Sequence, residues 1–195
     1  MQENSKDWTA IWTRFKEGDL NAFQVIYDGY LPKLYAYGAK LAPGFELLDD
    51  CIQELFLELY THRKNLKTPD NLEFYLLKSI RRIIFHKIKK ENRFINLEEN
   101  LTKSFLFELE MDNYEDENFQ QEKIEVVKKA LAELNTSQRE ILYLKFYNNL
   151  SYIEIGELLG VRPDSAKKQV YRIVDRLRFN LSNYFLNLFS VCFRT

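Results

Sequence analysis

Between Ser151 and Arg178 the chain is punctuated for two helices joined by a very short turn. Ser151-Tyr-Ile-Glu154 has the spacing of a capping box, in which a serine and a glutamate three residues on satisfy each other's backbone donors. Gly160 stands where that helix must stop, and Pro163 suits the first turn of a second helix running through Arg178 and beyond. A short helix, a glycine-containing turn and a longer helix make a helix-turn-helix. Ile155, Leu158, Leu159, Val161, Val170, Ile173 and Leu177 supply its small core, and Gly156 and Ala166 leave room for close approach. Asp164, Ser165, Lys167, Lys168, Gln169, Tyr171 and Arg172 fall on the solvent side. The N-terminal part of such a helix enters the major groove, where Lys and Arg pair with guanine and Gln with adenine. A helical hairpin with a merely solvated basic face has the same spacing.

The rest of the chain is also written for helices. Six Gly and four Pro in 195 residues, with apolar residues recurring at helical intervals, predict an all-α protein. Trp8, Ile11, Trp12 and Phe15 mark a first helix, broken at Gly18-Asp19. A second runs from Asn21 to about Tyr30, with Pro32 opening a continuation through Leu41. A third runs from near Leu47 to His62 and buries Ile52, Leu55, Phe56, Leu59 and Tyr60. A long basic helix follows from about Leu72 to Glu91, with Phe74, Leu77, Ile80, Ile84 and Ile88 inward. The stretch from Asn92 to Gln121 is acidic and weakly periodic, a linker with a short helix at Ser104 to Leu109. Ile124, Val127, Ala130, Leu131 and Leu134 open a second domain, and Ser137-Gln-Arg-Glu140 has the form of a capping box for a helix from Gln138 to about Phe146.

Charge is patterned rather than excessive. The net charge is −1, but His62 to Arg93 carries ten bases against three acids. Glu98 to Glu125 carries ten acids against two bases, and Arg162 to Arg178 six bases against two acids. Two basic faces joined by an acidic connector suit two contacts on one polyanion. Cys51 and Cys192 have no metal-like spacing, so a reduced, cytoplasmic chain is expected. Met1 to Asp7 lacks the apolar run of a signal peptide, and no apolar run is long enough for membrane insertion. With no phosphate loop, metal cluster or nucleophile-base pair, and with His62 and His86 isolated, neither an enzyme nor a cofactor is expected.

Three motifs in order then resemble sigma factors of bacterial RNA polymerase, over about Gly18 to Arg178. Ser137-Gln-Arg-Glu-Ile-Leu-Tyr-Leu-Lys-Phe146, Leu150-Ser-Tyr-Ile-Glu-Ile-Gly-Glu-Leu-Leu-Gly160 and Ser165-Ala-Lys-Lys-Gln-Val-Tyr-Arg172 look like the domain that reads the minus-thirty-five promoter element. Asp50-Cys-Ile-Gln-Glu-Leu-Phe56 looks like the motif that grips the clamp of the polymerase β′ subunit. Tyr75-Leu-Leu-Lys-Ser-Ile-Arg-Arg82 is similar to the segment that engages the minus-ten element. Two domains and a short acidic linker resemble the extracytoplasmic-function group. The resemblance implies a region 2 domain over 1–93, a linker over 94–121 that threads near the polymerase active site and RNA exit path, and a region 4 domain over 122–195.

On that reading Asp50, Gln53 and Glu54, which share one helix face, bind core polymerase. Phe74, Tyr75, Lys78, Arg81, Arg82 and Lys89, with the loop from about Arg63 to Asn71, meet the opened minus-ten DNA. Arg162, Asp164, Ser165, Lys167, Lys168, Tyr171 and Arg172 meet the minus-thirty-five element. The chain departs from the family where Arg82 replaces a frequent Asn, His86 a common Asp or Asn, Arg162 a frequent Ser cap and Ala166 a usual Val. Arg82 favours phosphate or guanine over the adenine contact of an Asn. A stand-alone helix-turn-helix regulator, needing only duplex DNA, is the alternative reading. Leu181, Tyr184, Phe185, Leu188, Phe189 and Cys192 make an amphipathic tail. It packs on its own domain, docks an anti-sigma factor, or docks the N-terminal domain.

Overall fold

Apolar residues three and four apart must find a common core, and they do so in two separate units, residues 1–97 and 98–195. The structure, a computed structural model, describes residues 8–91, 129, 131 and 133–192, with the backbone alone at 91 and 180–192. No strand occurs among the described residues. The acidic linker, the expected helix at 104–109 and positions 124, 127 and 130 lie outside them.

In the first unit, α1 (Trp8–Glu17) turns into α2 (Leu20–Gly38) at Gly18, whose φ of +100° a side chain would resist. Asp19 caps α2 by accepting from the backbone N–H groups of Asn21 and Ala22. Its carboxyl is held below the usual aspartate range, first by the hydrogen bond from Arg14 and then by that from Ala22. The second helix does not stop near Tyr30. It continues as one rod through Pro32, which is exposed, while Tyr30, Leu34 and Tyr37 are buried on the other side. The apolar stripe on both sides of the proline outweighs the one lost backbone bond.

Helix α3 (Phe45–His62) buries Leu48, Cys51, Ile52, Leu55, Phe56 and Leu59 and ends in a 3-10 turn at Arg63–Asn65. Helix α4 (Leu72–Glu91) starts where Asn71 accepts from the Phe74 backbone N–H. Its inner face is Leu72, Leu76, Leu77, Ile80, Ile83, Ile84 and Ile88. Phe74, expected to point inward, is only half-buried, because the stripe is centred on Leu76 and Leu77.

In the second unit, α5 (Thr136–Leu142) runs into a π-helical turn, Tyr143–Tyr147. The expected cap shifts by two residues. Asn135, not Ser137, is the N-cap, and its partner is Gln138 rather than Glu140. Glu140 is buried against the domain and cannot swing back to the helix start. Helix α6 (Tyr152–Leu159) has the expected Ser151–Glu154 box and ends at Gly160 with φ +69°. Helix α7 begins at Pro163 and continues to Cys192. The tail residues from Leu181 on therefore lie on a helical backbone, and their side chains fall outside the described set.

Candidate polymerase and nucleic-acid interfaces

The acidic motif sits on α3, with Asp50 and Gln53 exposed and Glu54 half-buried. It is not a bare acidic face. Lys87, reaching across from α4, lies 3.3 Å from Glu54 and 3.8 Å from Asp50, and Arg82 lies 3.1 Å from Glu58. These cross-pairs show that α3 and α4 run antiparallel, with an acidic edge of one against a basic edge of the other. Burial alone would lower the pKa of Lys87, but the Glu54 hydrogen bond, Cys51 and Asp50 outweigh it and hold the amine above the ordinary lysine value. Leu57, three and seven residues beyond Glu54 and Asp50, is 68% exposed on the same surface. An exposed leucine beside partly neutralised carboxylates suits a protein partner better than solvent. Sequence periodicity missed both Lys87, which lies on another helix, and Leu57, whose exposure only the packing reveals.

The expected minus-ten residues divide into two groups. Lys78, Arg82 and Lys89 are exposed. Arg81 turns inward, its guanidinium 4.7 Å from the Phe85 ring centre and donating to the Tyr37 hydroxyl at 3.2 Å. Tyr75 is half-buried and meets Trp12 edge-on at 5.9 Å. Burial raises its phenol pKa, against the Ser79 hydrogen bond and the nearby Arg82. Arg63, at the start of the expected loop, is a tie rather than a free cation: it donates to the Tyr60 carbonyl at 2.7 Å and lies over the Tyr60 ring.

A cavity of about 250 Å³ opens between the end of α3, the following loop and the first half of α4. Its walls include His62, Leu66, Tyr75, Ser79, Arg82 and Glu58. Aromatic, hydroxyl, imidazole and guanidinium groups thus converge on a space below the roughly 300–1,000 Å³ of typical small-molecule pockets. His62 and Ser79 were not singled out by the sequence, because it is the packing of the end of α3 against α4 that brings them to one space with Leu66 of the loop.

Arg162, just ahead of α7, and Asp164, Lys167, Lys168, Tyr171 and Arg172 on it are all exposed, and Ser165 is half-buried. Asp164, Lys167, Lys168, Tyr171 and Arg172 line one continuous shallow groove. Beneath them Ala166, Val170 and Ile173 are buried against α6 and α5. Gly156 makes the close approach possible: a Cβ there would stand 2.7 Å from the Val161 carbonyl oxygen. Among the described residues no His, Cys, Asp or Glu group is arranged to hold a metal, and no helix is long and apolar enough to cross a membrane.

A helix-turn-helix with an exposed basic face, in a chain whose other domain sets an acidic edge of one helix against a basic edge of the next, defines the class of DNA-binding transcription factors. Residues 26–94 match sigma-70 region 2, and residues 124–177 match sigma-70, region 4. The chain belongs to the sigma-70 family, in its extracytoplasmic-function group. It is similar to the ECF RNA polymerase sigma factor SigW of Bacillus subtilis, with 25% identity over 85% of this chain and 92% of that one. It is also similar to SigZ of the same organism, with 26% identity over 75% and 80%. The fold resembles the sigma factor RpoE solved with the anti-sigma factor NepR from Bartonella quintana, with TM-score 0.54, 21% identity and coverage of 82% and 96%. It likewise resembles CnrH solved with the cytosolic domain of CnrY, with TM-score 0.55, 14% identity and coverage of 91% and 99%. The chain is a sigma factor that directs promoter-specific transcription by RNA polymerase, not a stand-alone regulator.

Proposed function

We infer that the two domains divide the promoter between them. The N-terminal domain, residues 1–93, holds the β′ clamp of core polymerase through Asp50, Gln53 and Glu54, with Leu57 as the apolar member of that surface. The same domain takes the opened minus-ten strand on Lys78, Arg82 and Lys89, with one extruded base in the cavity beside Tyr75. The domain at 122–195 reads the minus-thirty-five duplex with the exposed α7 residues. The stretch 94–121 is the acidic connector that spans the polymerase channel. The chain supplies binding and strand capture and no catalysis of its own, and it works in the cytoplasm. RpoE and CnrH are each solved with a partner, the former an anti-sigma factor, and a comparable inhibitor is a candidate partner for this chain.

The observation that carries the division is the cavity of about 250 Å³ walled by Tyr75, Ser79, His62 and Arg82, with the Arg82–Glu58 pair at its edge. Extruded bases are stacked and pocketed while their backbone is neutralised. Arg82 is 69% exposed in its side chain and pairs with Glu58, itself half exposed, so it is available to a phosphate or a guanine. Arg82→Ala is expected to leave polymerase binding unchanged and to lower open-complex formation roughly tenfold, the worth of about 1.4 kcal/mol of lost contact. Permanganate footprinting of unpaired thymines on a promoter the holoenzyme selects would check it. Full strand opening by the variant would remove Arg82 and this cavity from the minus-ten assignment.

A further inference from the structure

The acidic edge of α3 carries a cation of another helix between two of its carboxylates. Asp50 and Glu54 stand one turn apart on α3, where two like charges repel and splay. Lys87 of α4 reaches across to both, its amine 3.3 Å from Glu54 Oε2 and 3.8 Å from Asp50 Oδ2. Its side chain is only 21% exposed, against 65% for Asp50 and 39% for Glu54. The amine thus sits on the inner side of the pair, and the carboxylates face outward.

Lys87 follows the buried Ile83 and Ile84 by one turn and precedes the buried Ile88, at the margin of the inner stripe of α4. A lysine so placed lays its methylene stem on apolar surface and turns its charged head to the polar seam. Burial works to lower its pKa, but the Glu54 hydrogen bond, Cys51 and Asp50 hold it above the ordinary lysine value, so the head stays charged. A fixed cation between two flexible acids has two opposite effects on a cationic partner: it competes, and it orders. Competition is weak, because ion pairs with groups this exposed contribute little and an ionised carboxylate has acceptor sites for about four donors. Ordering is the larger effect. Without Lys87, binding must freeze two rotamer-rich side chains and bring two like charges together at the same moment.

We propose that Lys87 is a positioning residue for the polymerase-binding face: it gathers the Asp50 and Glu54 carboxylates into one preformed seat for a cation of the partner, without touching the partner itself. The proposal rests on the assignment of that face to core polymerase.

Titration of core polymerase with the full-length protein and its Lys87 variants tests it. Lys87→Met keeps the apolar stem and removes the charge. Lys87→Gln removes the charge but keeps a polar head at the seam, and serves if the first variant fails to fold. Either should weaken core binding about five- to tenfold, the effect of leaving two side chains unordered, with thermal unfolding nearly unchanged. Lys87→Arg, which restores a cation with donors enough for both carboxylates, should bind within about twofold of the parent. The decisive arm is the cycle with Asp50→Asn/Glu54→Gln. In that background there are no charges to gather, so Lys87→Met should have no further effect. A merely structural lysine would weaken binding in both backgrounds and lower thermal stability in step.

Neutral variants that bind core polymerase as well as the parent, or more tightly, would overturn the proposal and make Lys87 a bystander or a competitor of the partner. An equal loss in both backgrounds would overturn it in favour of a structural role or a direct contact. If Asp50→Asn/Glu54→Gln itself leaves core binding undiminished, the assignment of the face falls and the positioning role with it. If that double variant weakens binding and the neutral Lys87 variants do not, the assignment stands and the role of Lys87 alone is withdrawn.

Discussion

Replacing Asp50 by Asn together with Glu54 by Gln should lower affinity for core polymerase by about a hundredfold or more and leave the N-terminal domain folded. Each carboxylate offers a charge-assisted hydrogen bond worth roughly 1.5–3 kcal/mol to a cationic partner, and tenfold in affinity is about 1.4 kcal/mol. The cost to the free protein is far smaller. Asp50 and Glu54 keep 65% and 39% of their side chains in solvent, so their pairs with Lys87 contribute at most about 1 kcal/mol. Amide replacements are preferable to alanine because they preserve acceptors for Lys87, whose side chain is only 21% exposed. Titration of labelled core polymerase, with thermal unfolding as the control, separates the two effects. Undiminished binding would remove this face from the polymerase interface, while a collapse of the domain would mean that the Lys87 bridge is structural.

Gly156→Ala is the second change with a large expected effect, and it acts on the other domain. Alanine is intrinsically about 1 kcal/mol better than glycine inside a helix. Here the new Cβ would stand 2.7 Å from the Val161 carbonyl oxygen and 3.2–3.3 Å from the backbone of Pro163. All three are main-chain atoms of the turn, so no side chain can swing aside. Forced overpacking costs about 1–3 kcal/mol, and relieving it by moving the turn would re-aim α7. The net expectation is destabilisation of the C-terminal domain by about 1–2 kcal/mol, seen as a melting point lower by several degrees. Minus-thirty-five dependence should fall further than stability alone explains, because the reading helix shifts. A variant as stable as the parent with unaltered promoter preference would show that the turn has slack.

The helix-turn-helix was legible because its signals are local. Ser151 with Glu154, Gly160 and Pro163 each act within a few residues of themselves, and the structure places the caps and the turn where their chemistry requires. The start of α5 was misplaced for a related reason. Two capping-box patterns overlap at Asn135–Gln138 and Ser137–Glu140, and burial of Glu140, a tertiary fact, selects the first. Pro32 misled in the same way: its local meaning is the first turn of a new helix, but the stripe of Tyr30, Leu34 and Tyr37 carries α2 through it without interruption.

The sites were legible only in part. Periodicity on a single helix places Asp50, Gln53 and Glu54 on one face but cannot see that Lys87 of another helix already sits between two of them. It puts Arg81 and Arg82 together in the basic helix, whereas packing sends the first to Tyr37 and leaves the second exposed. The cavity at Tyr75 is assembled from segments distant in sequence, so no motif could announce it.

The central claim is that one polymerase-held subunit touches a promoter at two places. Its most direct measurement is transcription by core polymerase supplemented with this protein on a genomic promoter library, with the 5′ ends of the transcripts sequenced. The account predicts initiation that depends on the added protein, at starts preceded by two sequence elements at a constant spacing. It also predicts loss of that initiation with Asp50→Asn/Glu54→Gln. Promoter binding by the protein alone, with no protein-dependent transcript starts when core polymerase is present, would contradict it.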